Sequence, residues 1–122
     1  TGYTGIEEIR HNEILYASKP TDGTWSVPEN ISLSSGDSVM PNIAVDSTGK
    51  IHVAVSDDTC GNYDIYYTTK PYGGTWGSYV NLSYNAGVSK DPEVAIDIND
   101  GVHIVWWDDT PGNIDIFYTA IP

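Results

Sequence analysis

The sequence predicts an all-β fold built from repeated four-stranded units, and three observations carry that prediction. The chain matches itself at a constant offset of 51 residues. Short runs of strand-forming residues alternate with turn sequences about every ten residues. No segment has a helical apolar stripe flanked by helix start and stop signals.

The self-match comes first, because a fixed period decides the architecture. Pro41 to Thr69 (PNIAVDSTGKIHVAVSDDTCGNYDIYYTT) lies over Pro92 to Ala120 (PEVAIDINDGVHIVWWDDTPGNIDIFYTA) without a gap. Matched pairs include Pro41/Pro92, Asp46/Asp97, His52/His103, Asp57/Asp108, Asp58/Asp109, Asn62/Asn113 and Asp64/Asp115. The offset also holds upstream, where Trp25 falls on Trp76, Asn30 on Asn81, Ser32 on Ser83, Gly36 on Gly87 and Ser38 on Ser89. Earlier still, Glu13-Ile14-Leu15-Tyr16 falls on Asp64-Ile65-Tyr66-Tyr67, and the residues before that stretch have no convincing counterpart.

Each element of the unit follows from its residues. Residues 42–46 are a short apolar run, strand A, closed by Asp46 and the turn Ser47-Thr48-Gly49. Residues 50–56 alternate Ile51, Val53 and Val55 with His52, Ala54 and Ser56, the period-2 signal of strand B. Asp57 to Asn62 is turn chemistry, and 64–69 (DIYYTT) is a β-rich strand C. Pro71-Tyr72-Gly73-Gly74 turns the chain into strand D at 76–83. The next copy has A at 93–97, B at 102–107 and C at 115–119. Four strands per unit at this period point to a β-propeller with four-stranded antiparallel blades.

The chain then divides into a partial blade over 1–40 with strands C (13–18) and D (25–32), a full blade over 41–91, and a partial blade over 92–122 with strands A to C. About two and a half blades cannot close a ring, which needs four or more, and open strand edges invite aggregation. Ring closure is therefore expected by homo-oligomerisation, with a trimer giving six blades, or by the remainder of a longer propeller.

Composition narrows the partners. Seventeen Asp and Glu against five Lys and Arg give a net charge of -12. That balance disfavours nucleic acid, whose phosphates need cations, and an anionic membrane surface. No apolar run has the length of a membrane span. Cations and neutral polar ligands such as sugars stay open. Nine Tyr and four Trp stand against a single Phe, an aromatic supply suited to half-buried sheets and binding surfaces. The single cysteine, Cys60, makes an intramolecular disulfide impossible. The acidic balance fits an extracellular or cell-surface position.

The link between strands C and D carries a further signal. Ser18-Lys19-Pro20-Thr21-Asp22-Gly23-Thr24-Trp25 and Thr69-Lys70-Pro71-Tyr72-Gly73-Gly74-Thr75-Trp76 resemble the Asp-box, S-x-D-x-G-x-T-W, of sialidase-like (BNR-repeat) β-propellers. Pro20 and Pro71 stand where the box has its Asp, so these are degenerate copies. The resemblance implies a propeller fold and a structural role for the box, which lies away from the ligand face in that family. It does not extend to sialidase chemistry. That chemistry needs a cluster of arginines to clamp a carboxylate, and Arg10 is the only arginine. No enzyme activity is expected.

The candidate binding residues lie in the loops that a propeller places on one face. The B–C loop contributes Asp57, Asp58, Asn62 and Asp64, repeated as Asp108, Asp109, Asn113 and Asp115. The D–A loop contributes Asp37 and Ser38, with Ser89 in its copy, and the non-repeated Trp107 adds an aromatic surface. Such a set can hydrogen-bond and stack on a sugar. Asp57, Asp58, Asp64, Asp108, Asp109 and Asp115 are also candidate oxygen ligands for Ca²⁺. The plainer account of the same residues is that Asp and Asn cap turns by bonding the backbone, and on sequence alone it is the better one. His52 and His103 are expected to be hydrogen-bonded structural residues, and Trp25 and Trp76 packing residues. Asn30-Ile31-Ser32 and Asn81-Leu82-Ser83 fit the glycosylation sequon, but their shared register suggests a strand constraint.

The expected function is a non-catalytic binding or scaffold module with a glycan or other surface ligand and no required cofactor. The alternatives are a fragment of a glycan-processing enzyme whose catalytic residues lie elsewhere, or a purely architectural oligomerising repeat.

Overall fold

The computed structural model describes residues 11–32, 34–83, 85–110 and 112–121, and Arg10 lies outside them. The described residues form nine strands and no helix. A two-stranded sheet pairs β1 (Leu15–Tyr16) with β2 (Glu29–Asn30). A four-stranded sheet runs β3 (Ser38–Val45), β4 (Ile51–Asp57), β5 (Asp64–Lys70) and β6 (Val80–Asn81). A three-stranded sheet runs β7 (Ser89–Ile96), β8 (Val102–Asp108) and β9 (Asp115–Ile121). All pairing is antiparallel between strands consecutive in the chain.

The offset of 51 residues carries through to the pairing itself. Leu15 opposite Asn30 repeats as Tyr66 opposite Asn81, and Ser38 opposite Asp57 repeats as Ser89 opposite Asp108. Strand A starts earlier than its apolar run, at Ser38 and Ser89, because those serines bond to Asp57 and Asp108 across the sheet. Both A strands then bulge between Val39 and Asn42 and between Lys90 and Glu93. The bulges place Met40 (φ 56°) and Asp91 (φ 57°) in the left-handed region, just before Pro41 and Pro92, which disfavour the right-handed helical conformation in the residue preceding them. Strand D is much shorter than the expected 76–83, with ladder pairing confined to Val80–Asn81. The N-terminal strand D likewise reduces to β2, which pairs with β1.

Two apolar layers hold the sheets together. Ile14 and Ile31 of the first unit pack with Val53 and Val55 of the second, flanked by Tyr16, Tyr66 and Trp76. Ala54 and Ile65, on the opposite face of the second sheet, pack with Val102, Ile104 and Trp106 of the third, flanked by Tyr67 and Phe117. The period-2 alternation of β4 and β5 thus gives each face of the second sheet its own neighbour. Polar contacts reinforce the stacking: the Val94 amide donates to Asn42 (2.8 Å) and the Asp91 amide to Ser56 (3.1 Å).

Candidate functional site

The loops singled out by sequence do meet. The Asp37 amide donates to the Asp58 carboxylate (2.7 Å), the Asp58 amide donates to the Asp37 carbonyl (3.0 Å), and the Gly36 amide donates to Thr59 (3.1 Å). The next unit repeats the pattern with Val88 and Asp109, at 2.8 Å and 3.1 Å. Asn62, in the β4–β5 turn, donates to the Gly87 carbonyl in the loop that leads into β7.

These contacts use up most of the predicted binding groups. Asp57 is fully buried and accepts from Ser38, from Tyr79 (2.8 Å) and from the Thr59 amide (2.8 Å). Burial pushes its carboxyl up, but the bonds from Ser38, Thr59 and Tyr79 outweigh that and hold it below the usual range. Asp108 is held in the same way by Ser89 (2.7 Å), Asn85 (2.7 Å), Trp106 (3.1 Å) and the Thr110 amide (2.8 Å), and it too lies well below the ordinary carboxyl. Asp64 accepts from Asn81 (3.0 Å) and Ser83 (3.1 Å), so the sequon-like Asn81-Leu82-Ser83 fastens strand D to strand C. The Trp107 indole donates to Asp91 (2.8 Å), and Asp37 caps the Asn12 amide (2.6 Å). Asn113 and Asp115 are exposed, at the open side of the third sheet. Among the described residues no group of three or more His, Cys, Asp or Glu side chains is placed to hold a metal ion. Of the carboxylates suggested for Ca²⁺, Asp57, Asp58, Asp64, Asp108 and Asp109 accept hydrogen bonds from the protein, and Asp115 is exposed.

His52 and His103 are hydrogen-bonded on both ring nitrogens. His52 Nδ1 bonds Tyr67 (2.7 Å) and Nε2 bonds Asp46 (3.0 Å). His103 repeats this with Tyr118 (2.7 Å) and Asp97 (2.8 Å). Bonds from Thr48 and then His52 depress the Asp46 carboxyl, and the bond from His103 leads in depressing that of Asp97.

A cleft of about 600 Å³ lies between the first and second units. Glu29, Asn30 and Ser32 come from β2 and its exit, Ser34 and Ser35 from the loop into β3, and Thr59 from the β4–β5 turn. Tyr66 of β5 and Thr75, Trp76 and Tyr79 of the link into β6 complete the wall. Tyr66 and Tyr79 stack at 4.7 Å, and Trp76 meets Tyr16 edge-on at 5.1 Å. Burial and a bond with Cys60 push the Tyr66 phenol up to about 12, so this aromatic wall is neutral at physiological pH. The Trp76 indole N–H is shielded from solvent and has no hydrogen-bond partner, a situation that is rare for a buried donor. Sequence reasoning treated Trp76 as packing alone and did not find the cleft. The available signal was Tyr66, Trp76 and Tyr79 together in the one complete unit.

Comparison of the chain with protein-family models, curated proteins and solved structures finds no match.

Proposed function

We propose that this chain is a non-catalytic binding module, a segment of a β-propeller, and that neutral sugars are the ligand class of the cleft between its first two units. The propeller part is supported by meandering sheets that repeat in register and stack face to face. Completion of the ring falls to further repeats of the same kind. An extracellular or cell-surface position belongs to the same proposal.

The cleft carries the binding part. Its aromatic wall offers flat apolar surface, while Ser34, Ser35, Thr59, Thr75 and Glu29 offer hydroxyls and a carboxylate around it. Ligand sites combine an apolar floor with a few placed polar groups, and a pyranose ring has one apolar face and a rim of hydroxyls to match. The net charge of -12 favours neutral over acidic sugars. The proposal leaves out catalysis because the buried carboxylates and both His–Asp pairs recur from unit to unit as structural anchors.

The test is a screen of the full chain on neutral and acidic oligosaccharides, followed by titration of each hit by tryptophan fluorescence. Trp76→Phe and Thr59→Ala are each expected to weaken a neutral-sugar hit by about tenfold, the equivalent of about 1.4 kcal/mol. Silence across the screen, or variants that bind like the parent, would overturn the glycan reading and leave the architectural one.

A further inference from the structure

We propose that the uncovered face of the third sheet is an interface that seats a second copy of this chain, with the copy's N-terminal hairpin bringing Trp25 onto Tyr118. The inference rests on the stacked-repeat part of the proposed function and is independent of the sugar part.

The chain itself shows what covers such a face, because one type of contact is made twice. In the first contact, Ile14 and Tyr16 of one unit meet Val53, Val55, Tyr66 and Trp76 of the next. In the second, Ile65 and Tyr67 meet Ile104, Trp106 and Phe117. The two sets superpose under the same offset: Ile14 on Ile65, Tyr16 on Tyr67, Val53 on Ile104, Val55 on Trp106 and Tyr66 on Phe117. The second unit therefore has both a donor face (Ile65, Tyr67) and an acceptor face (Val53, Val55, Tyr66, Trp76), and each neighbour meets one of them.

Among the described residues, nothing packs on the donor face of the third sheet. Ile65 is fully buried, whereas its counterpart Ile116 is 71% exposed, and Tyr118 is 60% exposed. Val105, the counterpart of the fully buried Ala54, is exposed as well. The complementary side is open at the other end of the chain. Trp76 packs edge-on against Tyr16, while its counterpart Trp25 is 69% exposed. Leu15, the counterpart of the packed Tyr66, is 61% exposed. One chain thus displays the donor half of a contact that it makes twice internally and, in Leu15 and Trp25, the described part of the acceptor half, the pairing that head-to-tail association of copies uses. Tyr118 stands to Trp25 of the second copy as Tyr16 stands to Trp76. Copies that each carry a charge of -12 repel one another, so association should strengthen as salt screens them.

The experiment is light scattering on a sizing column with the full chain, across protein concentrations at low and physiological salt. The expected result is a discrete oligomer or a concentration-dependent series, favoured by salt. Ile116→Glu, at a site exposed in the single chain, is expected to raise the dissociation constant at least about tenfold while leaving the β-sheet circular dichroism unchanged. Trp25→Ala should act in the same direction, and Ile98→Glu, on a turn outside the face, should have no effect. A monomer under all conditions would overturn the proposal, as would an assembly indifferent to Ile116→Glu and Trp25→Ala. Sugar titration of the monomeric Ile116→Glu variant separates the two readings, since the cleft lies wholly within one chain.

Discussion

Asp57 and Asp108 are the residues on which each loop pair turns. Each is fully buried, and each is held ionised by hydroxyl, amide and aromatic donors rather than by a cation. Their carboxyls and those of Asp46 and Asp97 lie below the ordinary value of 3.8 in the folded chain. A depressed folded pKa means that the unfolded chain takes up the proton first as pH falls. The stability these four groups contribute is fully present above the unfolded value and is lost as pH drops through the folded ones. Self-repulsion works the other way, since neutralising exposed carboxylates relieves a charge of -12. Exposed carboxylates titrate around pH 4, so the melting temperature should rise gently from pH 7 to a maximum at roughly pH 4–5 and then fall steeply. Thermal melts followed by circular dichroism check this, and a melting temperature still rising at about pH 2.5 would remove these carboxylates from the account.

At the scale of the element, the two tight loops depend on a missing side chain. A Cβ on Gly36 would stand 2.7 Å from the Thr59 amide nitrogen and 2.8 Å from its Cα. A Cβ on Gly87 would stand 2.6 Å from the Thr110 Cα. Backbone cannot yield as a flexible side chain can, so Gly36→Ala and Gly87→Ala should each destabilise the fold by about 1–3 kcal/mol, read by urea unfolding. Gly61→Ala has open space around it but requires a φ of 104°, so its cost would come from the backbone alone. These loops also show what sequence can and cannot reveal. The glycine pair was visible as a match at the offset, as were strands B and C, because apolar alternation and turn residues recur in register. The early start of strand A was hidden, since Ser38 and Ser89 read as loop until the buried carboxylate they bond is placed beside them. Strand D was overread because Trp76 and Tyr79 supply strand-like composition while serving as wall and hydrogen-bond partner. The cleft was invisible because it belongs to no single unit. It forms where β2 of one unit faces the aromatic link of the next, a juxtaposition that periodicity within one unit does not encode.

For the whole molecule, stacking through nearest neighbours sets how stability is distributed. Among the described residues the apolar clusters join each unit to the next, so stability is approximately a sum of unit terms and interface terms. The second sheet has apolar contact on both faces. Among the described residues the third has it on one face only, and β9 has no outer neighbour in its sheet. The first is two strands of two residues each. Amide exchange on the monomeric Ile116→Glu variant should therefore be slowest at Val53 to Val55 and about tenfold or more faster along β9, with β1 and β2 faster again. In the assembled parent, β9 should slow toward the β5 rate and β1 and β2 should slow with it, because the contact buries the third sheet's open face and the N-terminal hairpin of the next copy together. Uniform exchange across all three sheets in the monomer would mean that the units unfold as one block, and the nearest-neighbour account would then fail for this chain.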